Sequence, residues 1–393
     1  MQIFYILGAF FLLYSCSDSD FENHNKFYNS LKGSYALTKK HEKRIPLDTL
    51  SDAFIFLYDI SQNHLKEYEE FMFLNQRTNS IYFYNWEKSE LDSILTLPRE
   101  GPNGVGLAKG FKQINEDSLF VFAGNHMISL VNRNGKISER MKAPFYSEPP
   151  KGKRIYNPAI EVSGTSPLIF ENNRFYMAGK IDVEFDNFSN DNCFTLTVVD
   201  FVTGEAQFIL PFPDIYYNAN WVGDKFRKSF TTFNETSNEI IISYPASHHL
   251  IKYDLNNENT EETFGASNFS KSILPMDGKF LNLSSIEKWT YFIQSDSYGP
   301  ILWDPYRKLY YRIFLKGISN ADNLTGKGDL YKNMSIIILS ENFSYLGETE
   351  LPGSIYESNT FFVTKEGLAA FNYNAYKEDE NFLSFDIFEL VEL

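Results

Sequence analysis

One local pattern recurs along this chain: an apolar strand-like run, a polar residue at its end, a turn built on Gly or Asn, and then another short strand. It is found at Tyr84-Asn85, Val131-Asn132, Val199-Asp200, Tyr253-Asp254, Leu339-Ser340 and Phe385-Asp386. The clearest copies are Val131-Asn132-Arg133-Asn134-Gly135-Lys136, with an Asn-Gly turn, and Val199-Asp200-Phe201-Val202-Thr203-Gly204-Glu205. Other apolar runs, such as Phe54-Ile55-Phe56-Leu57-Tyr58, Leu119-Phe120-Val121-Phe122 and Ile336-Ile337-Ile338-Leu339, are likewise bounded by Asn, Gly, Asp or Pro. No long stretch sustains a helical period. Six copies of a small sheet unit predict an all-β fold, a six-bladed β-propeller spanning 35–393 as a single domain. The copies stand roughly 46 to 86 residues apart, which implies insertions between strands, and the widest interval leaves room for seven blades. The last copy is close to Leu393 and has no space after it for an outer strand. A strand within 45–60 is therefore expected to complete the last blade and close the ring, hiding its edges.

Composition agrees with this class. The 37 Phe and 25 Tyr suit half-buried pleated surfaces, and 43% hydrophobic content leaves ample area for a core. A net charge of −15 opposes phosphate backbones, so nucleic acid is not expected as a partner. The densest basic cluster, Lys39, Lys40, Lys43 and Arg44, reads as a solvated leader loop.

The N-terminus carries an address. Ile3 to Tyr14 is an apolar run too short to span a bilayer but suited to the core of a signal peptide, although no Lys or Arg precedes it. It ends in Leu13-Tyr14-Ser15-Cys16, which resembles the lipobox of bacterial lipoproteins. That resemblance makes 1–15 a signal peptide and Cys16 the lipid attachment site, with the membrane as a partner through the lipid. A polar tether follows over 16–34, and its start, Ser17-Asp18-Ser19-Asp20-Phe21-Glu22, is similar to the acidic stretch that sends some Bacteroidetes lipoproteins to the outer cell surface. The expected location is the cell envelope, lipid-anchored at the outer membrane. A membrane barrel would not normally carry such an anchor, and a two-sheet sandwich of this length would need an unusual number of strands. Once Cys16 is acylated, Cys193 has no disulfide partner and reads as a small buried hydrophobe in a strand.

Two further segments are distinctive: Arg99-Glu100-Gly101-Pro102-Asn103-Gly104-Val105-Gly106 and Trp303-Asp304-Pro305-Tyr306-Arg307-Lys308-Leu309-Tyr310-Tyr311-Arg312. With the lipobox, they resemble the Bacteroidetes lipoproteins grouped as domain of unknown function 4221, a propeller-like family, over nearly all of the chain after the tether. The resemblance implies a propeller and assigns no activity, so no catalytic residue is carried over. Read physically, Asp304-Pro305-Tyr306-Arg307 is a type I turn joining two aromatic strands. The Gly-x-x-Gly-x-Gly of the first segment lacks the dinucleotide order and reads as a connecting loop between blades.

Recognisable chemistry is absent from the sequence. No His-Glu-x-x-His, zinc pattern, Gly-x-Ser-x-Gly or Walker A lysine is present, so neither a catalytic set nor a metal or cofactor is expected. His248 and His249, adjacent in a strand-like stretch, should face opposite sides of a sheet. Asp182, Glu184, Asp186 and Asp191 read as a solvated acidic loop rather than a calcium site. The expected role is non-catalytic binding of a glycan or an envelope protein, with Arg99, Glu100, Asn103, Arg307 and Tyr310 as candidate ligand-binding residues on loops. Two alternatives remain open: an extracellular enzyme acting on polysaccharide, and a structural subunit of an envelope complex.

Overall fold

A strand packed between two neighbouring sheets is apolar on both faces, whereas the outermost strand of a sheet meets water. This gradient organises the molecule. Ser80–Asn85 is buried at every position, while Glu90–Thr96 beside it is exposed at all but one. A computed structural model of the chain describes residues 23–51, 55–63, 67–143, 159–181, 193–217, 219–222, 224–276, 283–318 and 332–393. Cys16, the start of the tether and the acidic group at 182–191 lie outside them.

The first strand is β1 (Tyr35–Pro46). Blade 1 is formed by β2 (Tyr58–Asn63), β3 (Tyr68–Asn75), β4 (Ser80–Asn85) and β5 (Glu90–Thr96), and blade 2 by β6 (Ala108–Asn115), β7 (Ser118–Ala123), β8 (Met127–Asn132) and β9 (Ile137–Lys142). In blade 3 the innermost strand is in two pieces, β10 (Ala159–Ile160) and β11 (Ile169–Glu171), both paired with β12 (Arg174–Lys180) and followed by β13 (Phe194–Asp200) and β14 (Ala206–Pro211). Blade 4 is β15 (Phe230–Asn234), β16 (Glu239–Ser243), β17 (His249–Asp254) and β18 (Thr260–Phe264). Helix α1 (Ser285–Gln294) leads into blade 5, made of β19 (Ser297–Asp304), β20 (Leu309–Leu315), β21 (Met334–Ser340) and β22 (Tyr345–Leu351). Blade 6 has β23 (Tyr356–Val363), β24 (Leu368–Asn372) and β25 (Phe382–Glu392), with the short helix α2 (Tyr373–Glu378) before β25, and β1 is its fourth strand. The fold is a six-bladed β-propeller.

The recurring polar residue now has a physical role. In five blades it ends the third strand, and its side chain accepts backbone N–H groups of the turn that follows, as Asx and Ser turns do. Asn132 accepts from Asn134 at 3.0 Å, Asp200 from Thr203 at 2.8 Å, Asp254 from Asn256 at 2.7 Å and Ser340 from Ser344 at 3.0 Å. Gly135 completes one such turn at φ +76°. The sixth copy lies inside β25, where Asp386 accepts from the Tyr356 hydroxyl at 2.7 Å and Asn372 at 3.1 Å.

The core is distributed along the seams between blades. Phe71 and Trp86 of blade 1 meet Phe362 and Phe385 of blade 6 at ring distances of 5.2 to 5.7 Å, and Phe120 of blade 2 meets Phe175 of blade 3 at 4.6 Å. Such pairs each contribute about 0.5–1.5 kcal/mol beyond area burial. This is where the aromatic excess goes.

Three expectations need correction. The closing strand runs Tyr35–Pro46, upstream of 45–60, pairing from Tyr35 with Glu392 to Pro46 with Phe382. Its sequence carries a weak strand signal because an outer strand needs few apolar residues, and only Leu37 and Ile45 are buried hydrophobics within it. The basic cluster is not a leader loop but this strand's charged row. Lys39 pairs with Asp386 at 2.7 Å and Arg44 with Asp379 at 2.6 Å, while Lys43 joins Glu366. The expected tether is also shorter at its inner end. Asn23 donates to the carbonyls of Ala246 and Ile273 at 2.8 and 2.7 Å, and Asn25 to those of Ser267 and Ser270 at 2.7 and 2.8 Å, which docks the chain on blades 4 and 5 from Asn23 onward. The widest interval holds α1 and long connections rather than another blade.

Candidate functional site

Antiparallel strands place successive connections at alternate ends of the ring. Connections from first to second and third to fourth strand gather at one end, where none exceeds five residues, as in 201–205. Those from second to third strand and from blade to blade gather at the other, and include 143–158, 181–193, 212–229, 265–296 and 316–333. Binding groups concentrate on long connections held by a rigid scaffold. The long-connection end is thus the candidate functional end.

Blade 3 sends a turn across the axis. Between β10 and β11 the chain leaves the sheet, and Ser163 and Ser166 bridge to each other. The Gly164 N–H donates to the Phe56 carbonyl beside blade 1 at 3.1 Å, the Thr165 carbonyl accepts from Thr231 of blade 4 at 3.3 Å, and the Ser166 hydroxyl donates to the Ser229 carbonyl at 3.1 Å. The Tyr58 ring lies so close to Gly164 that a Cβ there would stand 2.1 Å from it. Only glycine fits. The Tyr58 hydroxyl in turn donates to the Phe361 carbonyl of blade 6 at 2.5 Å.

Space remains on both sides of this stopper. A cavity of about 450 Å³ takes its walls from all six blades, with Phe111, Leu168, Phe233, Trp303 and Phe362 among them. Lys112 pairs with Asp59 on its wall at 3.1 Å. Buried Glu69 accepts from the Tyr306 hydroxyl at 2.7 Å and the Lys365 N–H at 2.9 Å, and burial pushes its carboxyl above the usual range. On the long-connection side is a groove of about 650 Å³ with Phe56, Leu57, Phe122, Ile160 and Val162 as apolar walls and Arg77, Lys109, His126, Glu161 and Lys228 around them. Ser163 borders both spaces.

The five residues singled out from the sequence do not form one site. Arg99, Glu100 and Asn103 are exposed at the long-connection end. Arg99 donates to the carbonyls of Gln76 and Arg77 at 3.3 and 3.4 Å, just behind the groove, while Asn103 accepts from the Ile137 N–H at 3.4 Å. The N–H groups of Gly104, Val105 and Gly106 all donate to carbonyls of their own loop, so no phosphate cradle exists there. Arg307 is at the opposite end, bracing two turns through Asp304 at 2.8 Å and the Lys365 carbonyl at 2.8 Å. Asp304 accepts from the N–H groups of Tyr306 and Arg307 at 3.0 and 2.9 Å, as the turn reading expects. Tyr310 is 0% exposed, with its ring stacked on Phe343 at 4.6 Å and its hydroxyl bonded to Asn234 at 2.6 Å, so it is a core residue unable to touch a ligand.

Arg312, at the end of the same motif, is wholly buried and donates to the Ser243 hydroxyl at 3.0 Å and to the carbonyls of Ser247 and Gly265 at 2.8 and 2.9 Å. Burial lowers its pKa to about 10. It fixes the long-connection side of blade 4 onto blade 5. The groove's cations form no cluster in the sequence, because they stand singly, in segments that only the ring brings together. The stopper had one visible signal, the turn-forming Ser163-Gly164-Thr165-Ser166-Pro167.

A family model described as a domain of unknown function, DUF4221, matches residues 36–350. Among solved structures, the chain is similar to a DUF4221 family member from Bacteroides vulgatus ATCC 8482, with 20% identity and a TM-score of 0.79 over 92% of this chain and 100% of that one. It is also similar to a Bacteroides fragilis NCTC 9343 protein named "Putative exported protein", with 10% identity and a TM-score of 0.53 over 92% of this chain and 96% of that one. At these identities the likeness is one of fold. No curated protein matches the chain.

Proposed function

The chain belongs to the DUF4221 family, whose description names no activity, and from that premise we propose that it is a cell-envelope lipoprotein whose propeller is a non-catalytic binding module. The observation that carries this is the division of the axis. The Ser163–Ser166 turn gives the long-connection end a groove of about 650 Å³, within the size range of small-ligand sites. The lipobox supports attachment through Cys16, and the exported-protein name of the Bacteroides fragilis neighbour is in keeping with export. With Asn23 docked, residues 16–22 reach at most roughly 25 Å, so the lipid would hold the ring close to the membrane.

Two measurements test the reading. Cells expressing the full chain should incorporate labelled palmitate into it, and Cys16→Ala should abolish the label; label retained by the variant refutes the anchor. The full chain in mild detergent, screened against glycans and peptides, should bind a ligand that raises its melting temperature. Turnover of that ligand would make the protein an enzyme instead, and silence across the screen would remove the binding module.

A further inference from the structure

The groove at the long-connection end is electrostatically at odds with the chain that builds it. Acidic residues outnumber basic ones 51 to 36 in the sequence, yet Arg77, Lys109 and Lys228 line the groove against the lone carboxylate of Glu161. Glu161 is already shared, with Lys228 at 3.2 Å and Lys180 at 3.5 Å. Arg77 and Lys109 are exposed, and among the described residues neither has an ion-pair partner. Arg99 holds the backbone of Gln76 and Arg77 from behind, which fixes where the Arg77 side chain starts. Burial and the charge of Lys142 keep His126 below its usual pKa.

The apolar part of the wall is contributed by Phe56, Leu57, Phe122, Ile160 and Val162, beside the polar Asn75, Gln76 and Ser163. Gly124 also lines the groove, and a Cβ there would make only ordinary contacts, 3.6 Å from the Lys109 side chain and 3.8 Å from the Leu107 carbonyl. A guanidinium presents two parallel donors to a planar anion, and a lysine adds a mobile point charge. Charge on one side and apolar surface on the other suit a ligand with an anionic group on a ring that has one C–H-rich face.

We propose that this groove binds an anionic saccharide, its carboxylate or phosphate held by Arg77 and Lys109 and its ring laid on the apolar wall. This rests on the binding-module reading and names its ligand class. Arg99 is a positioning residue for Arg77.

The test is calorimetric titration of the full chain with trigalacturonate, sialyllactose and galactose 6-phosphate, beside neutral galactotriose. At least one anionic probe should bind roughly tenfold or more tightly than the neutral one, and the difference should shrink at high salt. Binding of the carboxylates alone assigns a uronic or sialic acid source, and binding of the phosphate alone assigns a sugar phosphate. The double variant Arg77→Ala/Lys109→Ala should lose roughly tenfold or more in affinity. Gly124→Trp should abolish binding while leaving the melting temperature unchanged. Arg99→Ala should weaken the anionic probe and leave the affinity ratio between carboxylate and phosphate unchanged. If galactotriose binds as well as the anions and Gly124→Trp abolishes it, the charge inference falls and the binding module stands. If no anionic probe binds, the inference falls, and the glycan and peptide screen decides the module on its own.

Discussion

His248 and His249 put two identical side chains in opposite circumstances. The sequence expectation of two alternating strand positions is met only in part, for His249 is the first residue of β17 and His248 stands in the connection before it: His248 is buried with Nδ1 2.8 Å from the Tyr298 hydroxyl, while half-exposed His249 meets Glu262 at 3.2 Å. What the sequence does not disclose is the charge of Arg312 beside His248, since that neighbour arrives only when blade 5 packs on blade 4. Burial, with that charge, lowers the His248 pKa to about 4. The unfolded chain therefore takes up a proton as pH falls through the ordinary histidine range, and the folded chain does not until about pH 4. Stability should drop across this window by at most about 3 kcal/mol. Glu348, raised by burial, acts in the opposite sense, so the clean measurement is a difference. Urea denaturation at neutral and mildly acidic pH should show a smaller acid loss for His248→Asn than for the parent chain, and equal losses would show that His248 is not the group responsible.

The elements hardest to see in the sequence are those with the fewest buried apolar residues. The two pieces of the blade 3 inner strand are two and three residues long, too short for any period to register. The turn between them is held by hydrogen bonds to blades 1 and 4 and by the fit of Tyr58 on Gly164. A larger residue at this contact must push the ring away. Gly164→Val should destabilise the fold by about 1–3 kcal/mol through overpacking, read as a lower denaturation midpoint at unchanged slope. An unchanged midpoint would mean that the turn is not clamped. The connecting loop at 99–106 was legible because its glycines and proline mark a turn whatever surrounds it.

Blade number was legible because each third strand must end in a turn, and a turn needs a polar residue to take its N–H groups. The position of the seam was not, although the need for one was. β25 extends over eleven residues against the twelve of β1, which is why the sixth marker falls within a strand rather than at its end. A chain lacking residues 1–46 would leave blade 6 with an open edge and Asp386, 1% exposed, without Lys39. It should elute as aggregate in size exclusion, and a folded monomer would show that the ring does not need its seam. The seam also sets an order of events. β1 is the first strand in chain order and its partner β25 the last, so β1 stays unpaired until the rest of the chain has arrived. For that time the strand is an unmatched template, and its row of lysines and arginine acts as a gatekeeper that discourages pairing with other nascent chains.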